Sequence, residues 1–152
     1  ITCARVDSDS SFRFLIGSWI GHERLPNDTT TLAWSEVETR AIASACVLRE
    51  RWVVRDKSGP LFVAHLLRAY DVANASWGLA YTDDHGKGQW YVGRFIDGRW
   101  AFERERMLDG KRVLVRVSWM PSTTGYRQAI ERSTDDGQSW ELRSVITFAK
   151  AN

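Results

Sequence analysis

The chain has 152 residues, 43% of them hydrophobic, and a net charge of +2, which fits one domain with a substantial core. Its charges are scattered and no basic run exceeds two residues, so we expect no nucleic-acid partner, because such a partner requires a basic stripe. No apolar stretch approaches the ~20 residues of a membrane helix and the first residues lack a signal-peptide core, so we expect no membrane partner and a cytoplasmic location.

The first part of the chain predicts a short helical turn. Residues 1–11 are expected to form a flexible N-terminal segment. Two serines, which are typical helix-capping residues, then precede the apolar residues Phe12, Leu15 and Ile16, and Gly17 ends the turn. The remaining chain, residues 12–150, is predicted to form one β-barrel domain.

Ten segments of alternating polarity follow the turn, and turn residues separate them. The predicted strands are Ser18–Leu25, Leu32–Thr39, Cys46–Arg55, Leu61–Tyr70, Trp77–Asp83, Gln89–Ile96, Arg99–Met107, Lys111–Met120, Tyr126–Ser133 and Ser139–Lys150. Asp97-Gly98 and Asp109-Gly110 are signals for tight hairpins. The eight tryptophans fall in different segments, as expected where each strand gives an aromatic side chain to a shared interior. We predict an all-β fold: a single up-and-down antiparallel β-barrel of about 8–10 strands with a short N-terminal helical turn.

The alternation also predicts which side chains face the interior. It places Glu36 with Trp34 on the second strand, Glu50 with Trp52 on the third, and polar residues among apolar ones on four later strands. On the tenth strand it places Trp140, Leu142, Ile146 and Phe148 together on the inner face. Polar groups that converge in an apolar cavity are typical of a small-molecule site. The predicted ligand-binding residues are Trp34, Trp52, Arg68, Tyr70, Tyr81, Arg104, Tyr126 and Gln128. The alternatives are internal salt bridges, or faces assigned wrongly by one residue at a bulge.

Several segments resemble known barrels. Phe14–Trp19 resembles the opening of lipocalin-like (calycin) barrels, in which the Trp closes one end. Five further stretches are similar to a bacterial family of lipocalin-like domains of unknown function, often labelled DUF1579: Leu67–Asp71, Trp77, Phe95–Gly98, Val113–Trp119 and Ser133–Trp140. The resemblance extends from Phe12 to Phe148 and depends on the order and spacing of these pieces. It implies an up-and-down barrel with an internal cavity, and it transfers no catalytic residue.

Other motifs are weaker. The opening turn is similar to that of nitrobindin-like haem barrels, but the chain lacks their glycine-rich run and Tyr-Pro pair and has no histidine after His85. The three histidines are far apart and there is no Cys-x-x-Cys, so we expect no metal site and no cofactor. An Asp-box pattern, which we interpret as a hairpin brace, is present at Ser133-x-Asp135-x-Gly137-x-x-Trp140. Cys3 and Cys46 leave open one disulfide or two free thiols.

Three functions remain open at this point. The first is binding of a small, largely apolar molecule, aromatic or polyketide-like, in the barrel cavity. The second is a cofactor-independent cyclase or isomerase of a natural-product pathway, in which Glu36 or Glu50 is the general acid or base and Arg68 or Arg104 holds an enolate or carboxylate. The third is a filled barrel with a structural or protein-interaction role, and a homodimer is also left open. An empty cavity of a few hundred Å³ would support either of the first two functions, and a packed interior would support the third.

Overall fold

The computed structural model describes residues 12–27, 33–42 and 46–152. A 3₁₀ turn at Phe12–Leu15 precedes ten strands: β1 (Gly17–Arg24), β2 (Trp34–Ile42), β3 (Val47–Asp56), β4 (Gly59–Asp71), β5 (Ser76–Asp83), β6 (Gly88–Ile96), β7 (Arg99–Leu108), β8 (Lys111–Pro121), β9 (Gly125–Ser133) and β10 (Glu141–Lys150). Each strand pairs antiparallel with its neighbours in sequence, and β1 also pairs with β10, so the barrel is closed. The predicted fold class is confirmed. The predicted flexible segment 1–11 lies outside the described residues.

Two predicted tight turns join β6 to β7 and β7 to β8. Asp97 and Gly98 have φ angles of 51° and 75°, and Asp109 and Gly110 have φ angles of 50° and 73°. Two successive positive φ angles are the backbone of a type I′ turn, whose twist matches that of the flanking strands. Short connections of this kind keep consecutive strands adjacent and produce the up-and-down order.

The predicted inner face of β2 is wrong by one residue. Ser35, Val37 and Thr39 are the buried residues of this strand, and the Glu36 side chain is 44% exposed. Glu36 lies on the outer surface, where its carboxylate is 2.9 Å from Arg55 Nε, and Trp34 shares this outer face. The aromatic side chain of Trp34 suggested the inner face, but the smaller side chains of the alternate positions occupy the interior.

A bulge near the start of β10 changes the direction of one predicted inner residue. Leu142 pairs with Glu131 of β9, whereas Ser144 pairs with Ile130, so the register shifts between them. Because a shift of one residue exchanges the two faces of a strand, Leu142 points outward and is 41% exposed. Beyond the bulge the predicted inner face is correct, and Phe148 is fully buried.

The 3₁₀ turn plugs one end of the barrel, which we call the filled end. Phe12 is 2% exposed and its ring lies 5.2 Å from Trp77 and 5.6 Å from Phe102. The Trp19 indole donates a hydrogen bond of 2.7 Å to the Leu15 carbonyl, which fixes the turn against β1. This half of the interior is packed with aromatic rings, whose edge-to-face contacts add to the stabilisation from burial.

Cys46 lies just before β3 at the same end of the barrel and is 6% exposed. The sequence leaves open a disulfide between Cys46 and Cys3, and Cys3 lies outside the described residues. Within the ranges that the structure describes, no helix has the length and apolar character needed to cross a membrane.

Candidate functional site

The opposite half of the barrel, which we call the open half, contains a cavity of about 240 Å³. Its wall is formed by strands β3 to β6, β8 and β9 and by the β5–β6 loop. The lining side chains are mostly aromatic and aliphatic: Trp52, Leu66, Leu79, Tyr81, Lys87, Gln89, Tyr91, Val117, Trp119, Gln128 and Ile130. Its polar members near the surface come from the β5–β6 hairpin, and Lys87 is exposed there. The cavity therefore has an apolar interior and a polar rim.

The floor of the cavity combines two indoles with one amide. Trp52 and Trp119 are 7% and 3% exposed, and Gln128 lies directly opposite Trp119 in the pairing of β8 with β9. The Gln128 side chain is 7% exposed, and its Oε1 atom has no hydrogen-bond partner among the described residues. Buried polar groups without a partner are uncommon in proteins. This floor therefore suits a ligand that brings a polar atom of its own.

A fully buried ion pair lies beneath this floor. Arg68 Nη1 pairs with Glu50 Oε1, and both side chains are 0% exposed. Glu50 also accepts a hydrogen bond of 2.9 Å from the Trp52 indole, and the Arg68 guanidinium lies 4.2 Å from the centre of the Trp119 ring. Burial lowers the pKa of Arg68 to about 9, so the guanidinium is still charged at neutral pH.

Neither carboxylate that the sequence suggested for acid–base chemistry borders the cavity. Glu36 is on the outer surface, and Glu50 is engaged by Arg68 and Trp52 and is not a lining residue. The lining residues of the described chain include no Asp or Glu. A carboxylate must be within hydrogen-bond reach of a substrate to transfer a proton, so these positions support binding better than catalysis.

The rim is ordered by hydrogen bonds between neighbouring inner side chains. The Tyr91 hydroxyl donates to Gln89 Oε1 at 2.8 Å and accepts from Arg104 Nε at 3.1 Å. The Tyr81 hydroxyl donates to Asp83 Oδ2 at 2.8 Å. Burial, and then the hydrogen bond to Asp83, raise the pKa of Tyr81, so this phenol is neutral at physiological pH. The rim thus presents the neutral phenol of Tyr81 near the hydrogen-bonded pair of Tyr91 and Arg104.

The structure brings only some of the predicted ligand-binding residues together. Trp52, Tyr81 and Gln128 line the cavity, and Arg104 adjoins it through Tyr91. The other four residues lie elsewhere: Arg68 beneath the floor, Tyr70 packed 5.3 Å from Trp77, Tyr126 stacked 4.2 Å from Phe148 in the filled end, and Trp34 on the outer face.

Sequence reasoning missed the contribution of β6 and its preceding loop. Lys87, Gln89 and Tyr91 line the cavity, and none of them is among the predicted ligand-binding residues. The more apolar alternate set, Trp90 and Val92, is 60% and 51% exposed on the outer surface. Hydrophobicity therefore predicts the wrong inner face for β6. The inner face is identified by the pairing of Tyr91 with Leu79 of β5, because directly paired residues lie on the same face and Leu79 is buried.

No group of three or more His, Cys, Asp or Glu side chains in the described part of the chain could hold a metal ion. The three histidines, His22, His65 and His85, are all exposed. These histidines therefore have no placement inside the barrel that would suit an axial ligand.

The chain matches no protein-family model, and no curated protein has significant sequence similarity to it. The closed antiparallel barrel is consistent with a lipocalin-like architecture. The narrower resemblance to the DUF1579 family has no support from a family model. Any statement about function therefore depends on the geometry of the cavity.

Proposed function

We propose that this protein binds a small, largely apolar molecule, with one or two aromatic rings, in the open half of its barrel. The observation that carries the proposal is the cavity of about 240 Å³ with its wall of indole, phenol and aliphatic side chains. A dry apolar cavity of ~150 Å³ holds benzene, and sites for drug-sized ligands occupy ~300–1,000 Å³. The cavity lies between these sizes, so an aromatic or polyketide-like molecule of one or two fused rings suits it best.

The expected affinity follows from the apolar area that the wall can cover. An aromatic group of two rings buries ~200 Å² of surface, which at ~25 cal/mol per Å² contributes about 5 kcal/mol. This free energy corresponds to a dissociation constant of roughly 0.2 mM before any polar contact is counted. Calorimetric titration at submillimolar protein concentration is therefore the appropriate measurement.

The test uses 2-naphthalenemethanol as a neutral two-ring probe. Ile130→Phe adds volume to the cavity wall, and Val92→Phe is the matched control, because Val92 is 51% exposed on the outer face of β6. We expect the parent protein and Val92→Phe to bind the probe alike, and Ile130→Phe to bind it at least ~10-fold more weakly, since lost burial of about 1.4 kcal/mol suffices for that. Unchanged binding by a folded Ile130→Phe protein would exclude the cavity as the site.

The two alternative functions have less support. The predicted cyclase or isomerase depends on Glu36 or Glu50 as its general acid or base, and neither carboxylate borders the cavity. The structural or interaction role requires a filled barrel. The half of the interior around Phe12 is filled, but the open half contains the cavity. The cytoplasmic location and the homodimer remain predictions.

A further inference from the structure

One cationic side chain lines the cavity, and two more project from the inner face of the adjacent strand β7. Lys87 lies in the β5–β6 loop and lines the cavity. Arg104 and Arg106 lie on β7 opposite Val115 and Val113, which are buried on the inner face of β8. Both arginines therefore project from the inner face of β7, with Arg104 half-buried and Arg106 nearer the open end of the barrel.

Arg104 and Arg106 form no ion pair with a described carboxylate, and the charge of Lys87 acts on Asp83, whose pKa it helps to lower. Arg104 uses Nε on the Tyr91 hydroxyl, and its two terminal nitrogens form no hydrogen bond within the described chain. Neither Lys87 nor Arg106 forms an ion pair there, whereas Arg116 and Arg132 on the neighbouring strands both pair with glutamates. Tyr91 thus holds Arg104 beside the cavity, and the two terminal NH2 groups of Arg104 form no hydrogen bond within the described chain.

The nearest carboxylates already have other partners. Asp83 accepts the Tyr81 hydroxyl on one oxygen and the backbone N–H groups of His85 and Lys87 on the other, at 2.8 to 3.0 Å. Asp84 accepts the Val63 N–H at 3.0 Å, which ties the loop to β4. Both carboxylates therefore hold the loop in place, and Asp83 interacts with the side chain of Lys87 only through its charge, so Arg104 is the cation most available to a ligand.

We propose that the natural ligand is an aromatic carboxylate, whose ring lies on Trp52 and Trp119 and whose carboxylate binds Arg104 and Lys87 at the rim. The inference rests on the proposed function, since it names the chemical class of molecule that the cavity takes. A guanidinium with two free N–H groups on one side matches the two oxygens of a carboxylate, and such charge-assisted hydrogen bonds are about twice as strong as neutral ones.

The test compares two probes that share one ring system: 2-naphthoate, which is anionic, and 2-naphthalenemethanol, which is neutral. We expect the parent protein to bind naphthoate at least ~10-fold more tightly, since one hydrogen bond to a charged group suffices for that factor. Arg104→Gln should remove most of this preference, so that the two probes bind within about twofold of each other. Lys87→Gln, in an exposed loop, should reduce the preference by a smaller factor.

Arg94→Gln is the matched control, because it makes the same change in net charge on the outer face, where the Arg94 side chain is 71% exposed. It should keep the naphthoate preference. Equal binding of the two probes, or an equal loss in Arg94→Gln and Arg104→Gln, would overturn the carboxylate assignment and leave the proposed cavity intact. Binding of neither probe would overturn the cavity itself, and with it this inference. Circular dichroism shows whether each variant is folded.

Discussion

Glu50 and Arg68 place two opposite charges in the centre of a barrel whose core is mostly apolar. Each charge loses its hydration there, and the cost is offset only because the two groups pair and because Glu50 also accepts the Trp52 indole. Trp52 and Trp119 lie above the pair as the floor of the cavity. The ion pair therefore positions the floor rather than reaching a ligand.

Removing one charge of this pair should destabilise the protein more than removing both. Glu50→Gln leaves Arg68 buried without a counter-charge, and we expect the free energy of unfolding to fall by about 3–5 kcal/mol. In the double variant Glu50→Gln, Arg68→Met no charge is left in the interior, so the loss should be smaller. Urea unfolding of the three proteins measures this difference, and a double variant less stable than Glu50→Gln would refute the account.

Gly93 allows two neighbouring strands to approach closely around the filled end. A Cβ atom added there would lie 2.6 Å from the Trp77 carbonyl oxygen and 3.1 Å from the Phe102 ring. We expect Gly93→Ala to lower the free energy of unfolding by about 1–3 kcal/mol, the usual cost of overpacking. Gly88 of the same strand has open space around this position, so Gly88→Ala is the control. Equal effects of the two substitutions in thermal unfolding would show that the close approach is unimportant.

At the scale of elements, the β9–β10 hairpin is braced by one carboxylate, as the Asp-box pattern predicted. Asp135 accepts hydrogen bonds from the Ser139 hydroxyl at 2.6 Å, the Ser139 N–H at 2.9 Å and the Ser133 hydroxyl at 2.7 Å. The hydrogen bonds from Ser139 have the largest effect, followed by that from Ser133, and together they lower the pKa of Asp135 from its ordinary 3.8 to about 2. The Trp140 indole donates to the Gly137 carbonyl at 3.2 Å and completes the turn.

The stability that this brace provides should depend on pH. Because the pKa of Asp135 is lower in the folded state, its stabilisation is complete above pH 4 and is lost as pH falls towards 2. Asp135→Asn should therefore lower the melting temperature at pH 7, and the gap between the two proteins should narrow below pH 4. Measuring melting temperatures of both proteins across this range cancels the titration of other groups. A gap that is constant or that widens in acid would contradict the brace.

The sequence predicts the strands better than it predicts their faces. Alternating polarity and Asp-Gly turns locate all ten strands, because both are local properties of the chain. It also places Glu50 and Arg68 correctly inside. The predictions fail for Trp34 and Leu142, since tryptophan tolerates a half-exposed position and a bulge exchanges the faces of a strand.

At the scale of the whole molecule, the interior is divided into a filled end and an open half. Phe12 from the 3₁₀ turn fills one end, and no comparable side chain enters the cavity at the other in the described residues. The predicted site residues are consequently separated, with Tyr126 in the filled end and Tyr81 at the rim. Sequence alone cannot locate this division, because it depends on how far a side chain projects along the barrel axis and on the register of distant strands.

The indole N–H resonances test the central claim most directly, since the eight tryptophans are distributed over the whole molecule. In a ¹H–¹⁵N correlation spectrum assigned by Trp→Phe variants, saturating 2-naphthalenemethanol should shift the signals of Trp52 and Trp119, which form the cavity floor. The signal of Trp90, 60% exposed on the outer face, should stay in place. A shift of Trp90 with Trp52 and Trp119 unmoved would place binding outside the barrel and contradict the account.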